Sequence, residues 1–268
     1  MGTRLMLPLP VLPDTSDPRA CQVLLDAVAD GVPIRMLLDT GTYRSSVPHR
    51  DVPTDGLQQN ARSGSGVFGS AKVDETLMRL GVLEWGSLTT RDLTVTMDSP
   101  GWPHPPLLGM DVLGSHACHF RFGEGVLELD GPAPCEPLLP LPTPSDKTPA
   151  LPVQWEGITI KAVWDTGAGI TLIDHAWAEA HPEIVAIADE SGTGTDVHGA
   201  SNQHPMGRLA PCRIGQVTFP EQDCGVLDLS GINIDMILGL PLISHANWYM
   251  DFPRQRWSNR SPNVERAG

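Results

Sequence analysis

The chain has 268 residues, of which 40% are apolar, and this allows one large all-β domain or two smaller lobes with a buried core. No apolar run approaches the roughly 18 residues of a membrane-spanning helix. The net charge of −14 repels phosphate backbones and anionic lipid headgroups, so we expect neither nucleic acid nor a membrane as a partner. The apolar N-terminus is interrupted by prolines and is a poor secretion signal, which predicts a cytoplasmic protein.

Cysteine and histidine usage argues against a disulfide framework and against a metal centre. The cysteines are Cys21, Cys118, Cys135, Cys212 and Cys224. Their number is odd and they form no C-x-x-C pair. His116 and His119, and His175 and His181, are spaced only loosely like metal ligands, and no HExxH motif or cysteine accompanies them. We therefore expect no metal and no cofactor.

Glycine and proline are spread along the whole chain, with 27 and 26 copies. Short alternating apolar stretches bounded by Gly, Pro, Asp and Ser recur between them, which predicts an all-β protein with many turns. Helical periodicity is confined to residues 174–180 and to a turn or two after Gly109.

A proline-rich segment lies near the middle of the chain. Residues 131–152 contain eight prolines, each of which removes a donor from any sheet that the segment enters. We interpret it as an extended linker or a sheet edge. The predicted organisation is an N-terminal lobe at 1–133, a linker at 134–150 and a C-terminal lobe at 151–268.

The two sides of this linker are repeats of one another. Residues 31–41 align with 157–167 at a constant offset of 126, and both end in Asp-Thr-Gly. Further on, 107–109 aligns with 237–239 at an offset of 130 as apolar-apolar-Gly. Two tandem copies of one fold are predicted, which differs from the many short repeats of a solenoid.

The duplicated Asp-Thr-Gly places Asp39 and Asp165 at the ends of apolar strands. A carboxylate in that position is costly unless it is hydrogen-bonded. A glycine two residues on lets the backbone aim N–H groups at the carboxylate, and the threonine hydroxyl can bond across to the other copy. The alternative is that each aspartate merely caps a turn, and two symmetric copies argue against it.

Two segments now carry a family resemblance: Leu38-Asp39-Thr40-Gly41-Thr42 and Trp164-Asp165-Thr166-Gly167-Ala168. Each is followed by apolar-apolar-Gly, as Leu108-Gly109 and Leu238-Gly239, and together they resemble the aspartic proteases of the pepsin and retropepsin clan. The resemblance implies an all-β acid-protease fold with two homologous lobes related by a pseudo-two-fold axis. The sequence resembles a retropepsin dimer whose two subunits are fused into one chain. In that comparison the apolar-Gly pairs are structural support for the aspartate loops.

The resemblance assigns catalysis to Asp39 and Asp165. Two carboxylates a few ångströms apart cannot both ionise easily, so they share one proton and titrate as a pair. The ionised member would activate a water and the protonated one would hydrogen-bond the scissile carbonyl, as in other aspartic proteases. The Thr42 hydroxyl can donate to a carboxylate and Ala168 cannot, so the two aspartates are not equivalent.

A glycine-rich stretch, residues 64–69, satisfies the dinucleotide pattern G-x-G-x-x-G. That pattern needs a strand–helix context, whereas Met78, Leu80 and Val82 alternate like a strand soon afterwards. By resemblance, this stretch and its counterpart at 192–199 are flaps, hairpins that close over substrate. The predicted flap residues are Gly66, Val67, Phe68, Gly69, Val197, His198 and Gly199. The flaps lack the tyrosine of pepsin-like enzymes, which argues against pepsin-like specificity.

The sequence therefore predicts a monomeric aspartic endopeptidase acting on a peptide or protein. Apolar flap residues suggest apolar side chains around the scissile bond. Two alternatives stay open: a catalytically silent module that binds peptides or scaffolds partners, and a processing protease with one narrow target.

Overall fold

The computed structural model describes residues 4–48, 58–66, 69–98, 104–142, 148–195 and 201–262, and strands dominate it. The strands are β1 (Leu5–Pro8), β2 (Val11–Pro13), β3 (Cys21–Ala29), β4 (Val32–Leu38), β5 (Ser46–Val47), β6 (Gln58–Gly66), β7 (Gly69–Trp85), β8 (Leu88–Met97), β9 (Leu107–Leu108), β10 (Ala117–Arg121), β11 (Val126–Leu129), β12 (Leu139–Pro140), β13 (Ala150–Trp155), β14 (Ile158–Trp164), β15 (Thr171–Asp174), β16 (Val185–Thr195), β17 (Ser201–Leu209), β18 (Cys212–Ile214), β19 (Val217–Phe219), β20 (Gln222–Leu227), β21 (Met236–Leu238), β22 (Asn247–Asp251) and β23 (Arg256–Arg260). The α-helices are α1 (Met110–Leu113), α2 (His175–Ala180) and α3 (Leu240–Ile243), and Phe122–Glu124 and Ser230–Ile232 form 3-10 turns.

The strand that leads to each predicted aspartate is the second arm of a tight hairpin. Strands β3 and β4 are joined by Asp30 and Gly31, both with positive φ (47° and 83°). Such two-residue Asp-Gly turns match the right-handed twist of the strands they join. In the second half, Gly157 (φ 72°) makes the equivalent turn between β13 and β14. The turn glycines predicted from the repeat are therefore confirmed.

Each half of the chain forms its own large sheet, so the protein has two β-rich lobes, as predicted. The first half contributes an eight-stranded sheet, ordered β5-β8-β7-β3-β4-β9 with β2 and β6 attached to β3 and β7. The second half contributes a nine-stranded sheet, ordered β16-β17-β20-β15-β21-β14-β13-β18-β19. In both sheets the strand before the aspartate runs parallel to the short apolar strand of the apolar-apolar-Gly motif. Strand β4 lies beside β9, which precedes Gly109, and β14 lies beside β21, which precedes Gly239.

A third, six-stranded sheet joins the two halves, in the order β1-β11-β10-β22-β23-β12. At its centre, β10 of the first half pairs antiparallel with β22 of the second, with Cys118 opposite Met250 and Phe120 opposite Trp248. The edge strand β12 lies in the proline-rich segment and pairs with β23. That position fits the expectation that this segment runs along a sheet edge, while the exact lobe boundaries stay a prediction.

One continuous apolar core spans both halves and supports the strand before Asp165. Trp164 is fully buried, and its ring meets Phe120 of β10 and Trp248 of β22 edge-on at centroid distances of 5.0 and 5.8 Å. Aromatic pairs in this geometry contribute roughly 0.5–1.5 kcal/mol beyond burial. The joining sheet thus fixes the base of the second Asp-Thr-Gly loop from both halves at once.

Helices α1 and α2 lie where the sequence predicts them, whereas α3, which follows Gly239, was not predicted. Asp174 caps α2, accepting a hydrogen bond from Trp177 N at 3.0 Å, and α1 begins directly after Gly109. Among the helices in the described parts of the chain, none is long and apolar enough to cross a membrane.

Candidate active site

The two predicted aspartates meet between the lobes. Asp39 follows β4 and Asp165 follows β14, and the backbone N–H of each donates to the parallel neighbour strand, to Leu108 O at 3.0 Å and to Leu238 O at 3.1 Å. Their two carboxyl groups hydrogen-bond each other. The repeat thus places one carboxylate from each half at the same point.

The threonines of the two loops tie the halves together. Thr40 Oγ1 donates to Trp164 O at 2.8 Å, and Thr166 Oγ1 donates to Leu38 O at 2.9 Å. Each hydroxyl also accepts the opposite backbone N–H, Thr166 N at 3.0 Å and Thr40 N at 3.1 Å. Both threonines are fully buried, so these four bonds form in a water-free environment.

Backbone N–H groups hold the carboxylates in place. Gly41 N and Thr42 N donate to Asp39 Oδ1 at 2.8 and 3.0 Å. Gly167 N and Ala168 N donate to Asp165 Oδ1 at 2.8 and 3.3 Å. The sequence predicted a difference between Thr42 and Ala168 through the hydroxyl, but the bonds found at both positions come from the backbone.

The glycines of the two loops are needed because the opposite carboxylate comes so close. A Cβ at Gly41 would lie 2.3 Å from Asp165 Oδ2, and one at Gly167 would lie 2.5 Å from Asp39 Cγ. Gly41 N also donates to Asp165 Oδ1 at 3.2 Å. Each glycine therefore serves both its own aspartate and the other one.

Burial makes the two aspartates unequal. Asp39 is buried, whereas Asp165 is partly exposed. Burial, and then the charge of Asp165, raises the pKa of Asp39 well above its usual range. Burial also raises the pKa of Asp165, but the N–H of Gly167 and the hydrogen bond from Asp39 oppose that effect. The pair therefore keeps a proton to a higher pH than a free aspartate does.

The apolar-Gly pairs pack beneath the aspartate loops. Gly109 N donates to Ser45 Oγ at 3.0 Å, and its repeat equivalent Gly239 N donates to Thr171 Oγ1 at 3.2 Å. Ser45 in turn donates to both carboxylate oxygens of Asp111, from Oγ at 2.6 Å and from N at 2.9 Å. Sequence reasoning missed these supports, although offset 126 equates the hydroxyls at 45 and 171.

A loop of the first half, residues 14–20, reaches the second half. Arg19 is held by Asp17, with Nε to Oδ1 at 2.9 Å and Nη2 to Oδ2 at 3.0 Å, and its Nη1 contacts Glu190 Oε1 at 2.7 Å on β16. Beside it, Cys21 N donates to Gly169 O at 3.1 Å, four residues after Asp165. The loop has no full-length counterpart in the second copy, so the repeat alignment does not predict it.

Both glycine-rich stretches belong to hairpins. Strands β6 and β7 pair down to Gly66 opposite Gly69, and β16 pairs with β17 up to Thr195 opposite Ser201. Two antiparallel strands thus flank the G-x-G-x-x-G pattern, in place of the strand–helix unit that dinucleotide binding requires. The predicted tip residues Val67, Phe68, Val197, His198 and Gly199 lie outside the described residues.

Two β-rich lobes with a hydrogen-bonded aspartate pair between them define the architecture of an aspartic protease. Residues 25–115 match the family model of the gag-polyprotein putative aspartyl protease, and residues 151–242 match the aspartyl protease model. The fold is similar to the crystal structure of the aspartic proteinase from Irpex lacteus, with a TM-score of 0.60, 15% identity and 99% of each chain covered. No curated protein matches the sequence. The chain is thus of the pepsin and retropepsin type of aspartic protease.

The cross-lobe threonines give a first test of the site. Thr40→Val keeps the shape of the side chain but leaves Trp164 O and Thr166 N without this partner in a buried place. Each such loss costs about 1–3 kcal/mol, so for the two groups together we expect the free energy of unfolding to fall by at least about 2 kcal/mol. Urea denaturation measures this change. Thr159→Val on the exposed face of β14 is the control, and a Thr40→Val effect no larger than the control would refute the role of these bonds.

The raised pKa of Asp39 predicts how stability depends on pH. Unfolded chains release the aspartate proton near pH 4, whereas the folded protein keeps it to higher pH. The native state then binds more protons, so this carboxyl lowers stability progressively as pH rises above about 4. The side chain of Asp39→Asn stays neutral at every pH, and its amide N–H can still donate to Asp165. The variant should therefore lack the fall in stability that this carboxyl causes as pH rises.

We therefore expect Asp39→Asn to exceed the wild type in stability by a margin that grows with rising pH. Urea denaturation at a series of pH values measures the margin. Asp165→Asn is the matched variant, and its margin should also grow with rising pH because burial raises the pKa of Asp165 as well. A margin for Asp39→Asn that shrinks as pH rises would contradict the assignment.

Proposed function

We propose that the chain is an aspartic-type endopeptidase in which Asp39 and Asp165 act as one catalytic pair. The observation that carries the proposal is the hydrogen-bonded carboxyl pair, formed by one buried and one partly exposed aspartate. Perturbed, mutually coupled carboxyls in a cleft are typical of general acid–base catalysis.

In the proposed reaction Asp165 is the base and Asp39 the acid. The Asp165 carboxylate takes a proton from a water molecule as that water attacks the carbonyl carbon, and Asp39 donates its proton to the carbonyl oxygen. The tetrahedral intermediate then collapses: the C–N bond breaks, the nitrogen takes the proton held by Asp165, and a hydroxyl proton returns to Asp39. One peptide and one water give one carboxylic acid and one amine, and the pair regains its starting state.

The substrate in this proposal is an extended peptide lying between the lobes. Hairpins β6–β7 and β16–β17 supply strand edges to which an extended peptide can pair through its backbone. Backbone pairing gives affinity without selecting sequence, so specificity is left to the side chains around the aspartates. The hairpins would act as flaps that close on the bound peptide.

A peptide library separates this proposal from a silent binding module. We expect the wild-type protein to cleave members of the library across a range of pH, with products identified by mass spectrometry, and Asp165→Asn to cleave none. Binding of library peptides by the wild type without any cleavage would favour the silent module. Cleavage of a single natural protein target, but of no library member, would favour a narrow processing protease.

One active site per chain predicts a monomer. Both halves of the joining sheet come from the same chain. The covalent link between them gives each lobe an effective concentration of the other on the order of millimolar. We expect sedimentation to give the mass of one chain, 28.9 kDa, at all concentrations tested. Peptidase activity proportional to the concentration of a dimer would contradict this.

A further inference from the structure

A second apolar cluster, separate from the main core, lies beside Asp165. Its buried members are Val163, Leu172, Leu227, Leu229 and Ile237. The residues that pack against it and are only half-buried are Ala168, Ile170, Ile232 and Ile234. Ala168 is part of the aspartate loop itself, since its N–H donates to Asp165 Oδ1 at 3.3 Å. Incompletely covered apolar surface therefore begins next to this carboxylate.

The equivalent surface beside Asp39 has a different character. The repeat counterparts of the half-buried residues are, in the same order, Thr42, Arg44, Trp102 and His104. Trp102 lies outside the described residues, and the other three counterparts are polar. Arg44 is half-buried and forms no ion pair with any carboxylate in the described ranges.

One position of the layer beneath also changes from apolar to hydrogen-bonded. Leu172 of the apolar cluster is replaced by Ser46, whose Oγ accepts from Leu107 N at 2.9 Å and bonds the side chain of Asp98. Next to it, Ser45 is bonded to Asp111. The contrast therefore reaches the layer beneath at the position of Leu172 and Ser46, while Val163 and Ile237 keep apolar counterparts, Leu37 and Leu107.

From this contrast we propose that the cleft is two-sided: it takes a bulky apolar side chain of the substrate beside Asp165 and a polar side chain beside Asp39. The inference rests on the proposed peptidase function and deepens it. An apolar side chain over Ile170, Ile232 and Ile234 completes the burial of their surface. The same side chain over Arg44 and His104 would strip water from polar groups without replacing their hydrogen bonds.

The second half's apolar surface also has a boundary supplied by the first half. A Cβ built at Gly169 would lie 3.5 Å from Ala20 Cβ and 3.7 Å from Cys21 O. The loop at 14–20 thus covers the aspartate loop at Gly169, between Ala168 and Ile170. The first half therefore closes off the surface of the aspartate loop at this point.

Exchange of repeat counterparts tests the inference. Ile234→His introduces, beside Asp165, the histidine that the counterpart position 104 carries beside Asp39. His104→Ile introduces the isoleucine of position 234 beside Asp39. Ile158→His, a half-buried isoleucine at the β13–β14 turn, is the matched control. For each protein, kcat and KM are measured with two peptide series, each varied at one residue flanking the scissile bond.

The wild type should prefer Leu, Ile or Phe over Ser on one flank by at least about tenfold in kcat/KM, and show no such preference on the other. Ile234→His should reduce that preference mainly through KM, and His104→Ile should create apolar preference on the other flank, while Ile158→His changes neither. Equal apolar preference on both flanks, or unaltered profiles in both exchange variants, would overturn the inference.

A binding measurement separates this inference from the proposed chemistry. The same peptides, labelled with fluorescein, are titrated with Asp165→Asn protein and followed by anisotropy. One-sided apolar preference in binding, with no cleavage by the wild type, would uphold the inference and refute the peptidase. Failure of every peptide to bind would overturn both.

Discussion

Asparagine at either Asp39 or Asp165 should lower the rate of peptide hydrolysis by about 10²–10⁴-fold, and asparagine at both should lower it no further. The proposed reaction needs the base and the acid in the same step, so the loss of either carboxyl stops the pair from working. Residues that act as a unit are strongly non-additive. Initial rates with a cleaved library peptide, measured for the two single variants and the double variant, test this.

The control for loss of folding is built into the same variants. Asparagine preserves the size of the side chain and accepts the N–H of Gly41 or Gly167 through its amide oxygen. Both single variants should therefore unfold at urea concentrations no lower than the wild type at neutral pH. Substantial residual activity in one single variant would show that the other carboxyl works alone.

The largest loss of stability is expected from alanine at Gly239. A Cβ there would lie 2.2 Å from the carbonyl carbon of Ile170 and 2.5 Å from Thr171 N, and both are backbone atoms. At the equivalent Gly109, the nearest atom would be 3.0 Å away, the carbonyl carbon of Arg44. Overpacking against backbone that cannot move aside costs about 3 kcal/mol.

We therefore expect Gly239→Ala to lower the free energy of unfolding by about 3 kcal/mol, and Gly109→Ala by clearly less. The two glycines precede the short helices α3 and α1 in equivalent places, so each variant controls for the other. Guanidinium denaturation with a fixed m-value measures both changes. Equal losses at the two positions would contradict the packing difference.

The fold and the aspartate pair were largely predictable because the Asp-Thr-Gly segment occurs twice in the chain. Two Asp-Thr-Gly loops on apolar strands suggest two equivalent units, and the resemblance to the pepsin and retropepsin clan implies that the loops meet at a two-fold axis and bring the two carboxyls together. The same reasoning gave the hairpin turns at Gly31 and Gly157, since glycine adopts positive φ without strain.

Features that break the repeat were not predictable. Arg19 meets Glu190 only because an insertion in the first copy folds across the interface, and no pattern in either segment identifies the partner. Which aspartate is more buried depends on the whole surroundings of each loop. Ser45 could have been found, because offset 126 pairs it with Thr171, but its partner Asp111 corresponds to a proline in the second copy.

The joining sheet has a consequence for how the chain is made. Its central strands β10 and β22 are encoded far apart, with Ala117 opposite Asp251, so β10 leaves the ribosome long before its neighbour is synthesised. During that interval the edge of β10 that faces away from β11 has no partner from its own chain, and a nascent first half can pair there with another copy of itself. Contacts between such distant residues also form slowly, because a long loop must close before they are made. Slow synthesis or crowded polysomes should therefore favour mispaired first halves, a hazard that a chain with two self-contained sheets would not face.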